Sequence, residues 1–191
     1  MSRIGNKPII IPDNATLKVG EGNTISVKGP KGDLTRTISP NIVLQIEGNT
    51  LTINNSSAQK SDKSLHGLSR ALLYNMIVGV TEGYQKQLQI VGTGYKANVE
   101  GDILELNLGK SHVIYIKLPP EISLTVVIQK GKMPTIILTV MGMDKELVGL
   151  VAAKIREQKP PEPYITKRNN TQKGIRCIGE ILVGKMKKDG K

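Results

Sequence analysis

The order of elements in this chain repeats itself, and that repeat limits the fold more than any other feature. Asn23–Lys28 alternates as a strand does, Gly29-Pro30-Lys31-Gly32 turns, and Leu34–Ile38 alternates again. After Pro40 come Ile42–Ile46, a turn at Glu47-Gly48-Asn49, and Thr50–Asn54. The second half repeats the scheme. Ile103–Leu108, a turn at Gly109-Lys110-Ser111-His112 and Val113–Leu118 precede Pro119-Pro120. Ile122–Ile128, a turn at Gln129-Lys130-Gly131-Lys132 and Thr135–Val140 follow it. Period-two alternation bounded by Gly, Pro and Asn is the signature of short antiparallel strands.

Each half then closes with a helical pattern. Leu65, Leu68, Leu72, Leu73, Met76 and Ile77 form the first stripe, with Ser61 or Asp62 placed to cap it. Leu147, Leu150, Val151 and Ile155 form the second after Asp144, and Pro160-Pro161 stops it. The helices align at a constant offset that pairs Lys63 with Lys145, Leu65 with Leu147, Gly67 with Gly149 and Leu68 with Leu150. A helix with one apolar stripe needs a sheet to cover. The expected fold is therefore α+β: two tandem duplicated small domains, each a mainly antiparallel sheet backed by one main helix. Residues 1–82 make the first domain and 83–159 the second, with Gly83–Asn98 read as a linker leading into a strand. Residues 160–191 make a basic C-terminal arm that completes the second.

Charge is distributed unevenly over this frame. The chain carries 27 Lys and Arg against 16 Asp and Glu. Residues 154–191 alone hold 11 basic and 4 acidic groups, +7 of the net +11. Such a field attracts polyanions over a Debye length of ~8–10 Å. A solvated tail is the plain alternative and an anionic membrane surface a third, but no apolar helical face lies beside the basic residues. No run approaches the ~20 apolar residues of a membrane helix, and the opening residues lack the apolar region of a secretory signal.

Enzymatic chemistry finds no foothold in the sequence. His66 lies on the first helix and His112 in a turn of the other half, and the lone Cys177 has no companion. Clustered metal ligands are missing from the sequence, so no metal and no cofactor is expected. Gly92-Thr93-Gly94-Tyr95-Lys96-Ala97 fits the loose dinucleotide pattern. A strand follows it, however, where pyrophosphate binding needs a helix N-terminus. Gly29-Pro30-Lys31-Gly32 likewise lacks the Gly-Lys-Ser/Thr ending of a phosphate loop. A small-molecule substrate is not indicated.

The basic segment is the remaining candidate. Lys154 and Arg156 open it; Lys159-Pro160-Pro161-Glu162-Pro163-Tyr164 follows in an extended course set by the prolines. Lys167, Arg168 and Lys173 lie in a polar loop, Arg176 in a short strand, and Lys185 and Lys187 in the Lys-rich end. A stiff cationic arm suits folded RNA, where phosphate and shape contacts dominate. A chain ending at Lys159 is expected to fold and to lose most RNA affinity.

The opening Ser2-Arg3-Ile4-Gly5-Asn6-Lys7-Pro8-Ile9, Lys28-Gly29-Pro30-Lys31-Gly32, Val91-Gly92-Thr93-Gly94-Tyr95-Lys96-Ala97, Lys159-Pro160-Pro161-Glu162-Pro163-Tyr164 and Lys173-Gly174-Ile175-Arg176 together resemble bacterial-type large ribosomal subunit protein six. The resemblance runs from Ser2 to about Val183 and implies a structural role on large-subunit rRNA. Neighbouring ribosomal proteins, and translational GTPases near the docked protein, are the further partners it implies. The ribosome would be that of the bacterial cytoplasm, or of a plastid or other organelle. By motif, the implied contacts are Arg3, Lys7, Lys159, Tyr164, Lys173, Gly174 and Arg176. Tyr95 and Lys96 sit in a loop that also reaches RNA, or Tyr95 packs over its own sheet. The chain departs from the family pattern at Lys110, where tyrosine is usual, in extra residues within Ile165–Gln172, and at Cys177, also usually tyrosine. A free RNA-binding or ribosome-assembly factor of the same fold is the rival reading.

Overall fold

The computed structural model describes residues 3–55, 60–129, 135–165, 172–180 and 185–186. The chain forms two compact units, Met1–Tyr84 with Met143–Lys145, and Gln85–Gly142 with Glu146–Lys191.

The first unit contains β1 (Ile9–Ile10), β2 (Thr16–Val19), β3 (Thr24–Gly29), β4 (Gly32–Thr37), β5 (Ile42–Glu47), β6 (Thr50–Asn55) and α1 (Lys60–Thr81). Two three-stranded sheets result, in the orders β2-β3-β4 and β1-β6-β5, where the alternation suggested one sheet of four strands. The β3–β4 hairpin closes through Pro30-Lys31, with Gly29 opposite Gly32, and β5–β6 through Gly48-Asn49. Gly48 has φ +57°, the left-handed geometry such tight turns require. Ile9, Ile25, Val27, Ile42, Leu51 and Ile53 meet Leu73, Met76, Ile77 and Val80 of α1 to make the core. The hairpin tip also finishes the helix: the Lys31 N–H donates to Val80 O at 3.1 Å, and the Lys31 ammonium donates to Glu82 O. Carbonyls at a helix C-terminus have no partner within the helix, and a cation there complements the dipole.

The second unit contains β7 (Tyr84–Val91), β8 (Lys96–Glu100), β9 (Ile103–Asn107), β10 (Ile114–Lys117), β11 (Ile122–Gln129), β12 (Thr135–Gly142), α2 (Lys145–Glu157), β13 (Tyr164–Ile165), β14 (Gly174–Cys177) and β15 (Lys185–Met186). Its sheets run β10-β9-β8, β11-β12-β7-β14 and β13-β15. The duplication is visible in this topology. The trio β8-β9-β10 corresponds to β2-β3-β4, and β7-β12-β11 corresponds to β1-β6-β5. Leu88, Ile90, Leu104, Leu106, Leu138, Val140 and Ile175 of the strands and Val148, Val151, Ala152 and Ile155 of α2 are all buried.

Three further sequence expectations change here. The expected linker holds β7, which lies between β12 and β14; Gln85, Lys86 and Gln87 are exposed at its start and hide its alternation. Helix α1 begins at Lys60, so Asp62 sits inside the first turn, where the Asn41 amide donates to it at 3.3 Å. Leu68 and Leu150 are 52% and 66% exposed, so the buried stripe of each helix lies to one side of the one read from spacing.

Candidate nucleic-acid interface

The N-terminal residues are held against α1 by their backbone, which leaves their charges outside. Gly5 is buried against the His66 ring, and a β-carbon there would lie 2.4 Å from His66 Nδ1. His66 is itself buried, with Nε2 2.9 Å from Ile53 O. Arg70 donates from Nε to Lys7 O at 3.3 Å, and its guanidinium stacks over Tyr74 at 4.9 Å. Arg3 and Lys7 are exposed.

Tyr95 is clamped rather than free. A β-carbon at Gly92 would fall 2.2 Å from its ring, and one at Gly109 would fall 3.2 Å away on the other edge. The half-buried ring therefore fills space between two glycines of its own unit, which favours the packing reading of this residue. Lys96 begins β8 opposite Asn107 and is exposed.

The proline-rich element is part of the second unit. Glu162 N–H donates to Lys173 O and Ile175 N–H donates to Lys159 O, both at 2.8 Å, so residues 159–162 lie along the outer edge of β14. Gly174 makes this approach feasible. Its φ is +131°, and a β-carbon would meet Pro160 O and Pro161 Cα at 2.7 Å. The glycine read from motif as an RNA contact thus has a packing reason of its own. Lys159 and Lys173 are half-buried.

Two of the arginines are engaged internally. Arg176 donates from Nε to Gln89 Oε1 at 2.8 Å across the β7–β14 pair. Arg156 pairs through Nη2 with Glu180, whose other oxygen accepts the Cys177 N–H at 3.0 Å. The partners Gln89 and Glu180 carry no signal in the sequence, because both contacts depend on how the arm folds back. Tyr164 and Lys185 lie opposite each other in the parallel β13–β15 pair. Lys167, Arg168 and Lys187 lie outside the described residues.

Among the described residues, no group of three or more His, Cys, Asp or Glu could hold a metal ion, and no helix is long and apolar enough to cross a membrane. Tyr84 has its pKa raised above 10.0, chiefly by burial and further by Tyr74 and Glu82. Its hydroxyl donates to Asn75 O at 3.3 Å.

The geometry is thus a duplicated scaffold that presents separate cationic points and, among the described residues, no cluster of metal-ligating groups. The family profile for Ribosomal protein L6 matches residues 11–83 and 91–168, two segments that follow the two repeats. The chain belongs to the ribosomal protein L6 family. Members of this family are structural proteins and not enzymes. "Large ribosomal subunit protein uL6" of Chloroflexus aggregans is 46% identical over 191 residues, covering 100% of this chain and 99% of the relative. The protein of the same name from Amoebophilus asiaticus is 47% identical over 182 residues, 95% of each chain. That of Bacillus cereus is 46% identical over 191 residues, 100% of this chain and 98% of the relative. The similarity to these L6 proteins therefore extends through the C-terminal residues beyond the profile match.

Proposed function

We propose that the chain is a structural constituent of the large ribosomal subunit that binds large-subunit rRNA, next to neighbouring ribosomal proteins and near the region where translational GTPases engage. The observation that carries this reading is full-length similarity to bacterial proteins of that name, joined to a +7 charge in residues 154–191. The ribosome is that of the bacterial cytoplasm. Arg3, Lys7 and Lys96 are exposed, and Lys159 and Lys173 half-buried, on backbone fixed by the contacts described above. They are the proposed phosphate contacts, since cations that neutralise phosphates release counterions and, held on a scaffold, fix its orientation on the nucleic acid. Lys167, Arg168, Lys185, Lys187 and Tyr164 are proposed as further contacts from their residue types in the sequence, and Gly174 lets residues 159–162 approach β14. Arg156 and Arg176 are assigned to holding the arm on its unit, which brings the neighbouring lysines to the RNA. Tyr95 supports the Lys96 loop.

Sedimentation of the tagged chain through a sucrose gradient tests this reading, before and after a high-salt wash. One copy per large subunit that survives the wash is the expected result. Release by salt, or migration at the top of the gradient, would refute a constituent role. Affinity for an rRNA fragment should fall with log salt at a slope of roughly −5 if about seven phosphates are neutralised.

A further inference from the structure

Helix α1 carries a cation that no sequence motif singles out. Arg70 stands one turn after His66, and the N-terminal turn rests on both side chains. That turn is closed by the Lys7 N–H, which donates to Ile4 O at 3.2 Å. Gly5 packs on the His66 ring, and Lys7 O accepts from Arg70 Nε at 3.3 Å. One turn further along, the Tyr74 ring lies under the guanidinium, 4.9 Å from centroid to Cζ. These two contacts fix the plane of the guanidinium and use one of its five N–H donors. The four hydrogens on the two Nη atoms have no acceptor among the described residues. Arg70 is half-buried, so it has little rotamer freedom left to lose when an oxyanion meets that open edge.

The surroundings of Arg70 are cationic. Arg3 and Lys7 are exposed on the turn. Lys63, also exposed, precedes Arg70 by seven residues, two helical turns or about 10 Å along the same flank of α1. No acidic residue occurs between Arg3 and Pro12. The one acidic residue of α1, Asp62, is buried.

We propose that Arg70 is the centre of a phosphodiester-binding site on the first unit, its Nη pair taking two oxygens of one backbone phosphate of large-subunit rRNA. A planar pair of donors fits a carboxylate as well as a phosphate, and the neighbouring charges decide between them. A protein carboxylate brings a single charge. Four cations with no exposed acid beside them match the repeated charge of a nucleic-acid backbone, which Arg3, Lys7 and Lys63 meet on either side of Arg70. The inference rests on the rRNA-binding reading and adds to it a contact far in sequence from the basic arm.

Phosphate-ethylation interference on large-subunit rRNA with the full chain tests the site, since it locates each phosphate whose ethylation blocks binding. Arg70→Ala should abolish interference at one phosphate that still interferes with the Lys7→Ala and Lys96→Ala chains, while thermal melts show it folded. Should the alanine variant not fold, Arg70→Lys takes its place. Lysine keeps the charge but lacks the planar pair, and should weaken interference at that same phosphate at least threefold. Loss of no phosphate, or only of those also lost with Lys7→Ala, would overturn the proposal, because Arg70 would then merely seat the turn. Reduced retention of the variant in large subunits with an unchanged rRNA pattern would point to a protein carboxylate and overturn it equally. A parent chain that shows no interfering phosphate anywhere would bring down the rRNA-binding reading itself, and this site with it.

Discussion

Replacing Gly174 with alanine separates packing from RNA contact at a residue where the motif alone suggests the latter. A side chain at φ +131° sits in backbone space that is essentially restricted to glycine, at a cost of about 1–3 kcal/mol. The added methyl would also meet Pro160 O and Pro161 Cα at 2.7 Å, both backbone atoms that cannot swing aside. Forcing extra volume into a packed site costs a further 1–3 kcal/mol, approximately. Gly174→Ala should therefore destabilise the second unit by about 3 kcal/mol, which lowers Tm by roughly 6–12 °C in a chain of this size. Urea unfolding followed by circular dichroism measures it. Gly149→Ala is the matched control, since nothing lies within 4 Å of its β-carbon position and alanine favours a helix by about 1 kcal/mol. A Gly174→Ala protein within about 0.5 kcal/mol of the parent that nevertheless binds rRNA poorly would refute the packing argument. The glycine would then be an RNA contact in its own right.

Lys31→Ala should cost about 0.5–1 kcal/mol by removing the ammonium from the end of α1, read as a small fall in urea midpoint. Tyr95→Ala should cost about 2–4 kcal/mol by emptying the space between Gly92 and Gly109, whereas Tyr95→Phe should stay within about 0.5 kcal/mol in thermal melts. Because Tyr84 ionises at higher pH folded than unfolded, its neutral form contributes stability in full below about pH 10. That stability drains as pH rises past this value toward the folded pKa, so Tyr84→Phe should flatten the decline in stability between about pH 9 and pH 11. In rRNA titrations, Lys96→Ala should reduce the salt slope by about 0.7–0.9, the contribution of one phosphate.

Much of the architecture can be read from periodicity, because hairpins and helices are local. The turns at Pro30-Lys31 and Gly48-Asn49 and both helices are where alternation and spacing put them. What escapes is what depends on distant partners. The two-residue strand β1 exists only because Leu51 and Thr50 of β6 lie opposite Ile9 and Ile10. Strand β7 carries three exposed polar residues near its start and is recognised from its place in the sheet between β12 and β14. For the candidate contacts, sequence finds the charges but not their engagement. Arg156 and Arg176 resemble free cations until Glu180 and Gln89 are brought to them by the fold of the arm. Lys96 and Lys7 keep the exposure that their surroundings in sequence suggest.

The origin of β14 sets a timetable for synthesis. The first unit has all its strands by Asn55 and its helix by Thr81, so its core can close while the rest of the chain is still being made. The second unit has no such freedom. Its four-stranded sheet ends on β14, and Ile175, which is fully buried, comes after α2 and near the end of the chain. Until those residues emerge, β7 presents a raw edge that carries Leu88 and Ile90. A nascent chain stopped at Lys159 is therefore a half-finished sheet as well as a protein short of charge, which corrects the sequence expectation that such a chain folds normally. The same late strand bonds to Lys159 and leads into the cationic residues of the arm. Completion of the fold and presentation of the charge thus become a single event, so a chain that cannot finish its sheet cannot present its arm correctly.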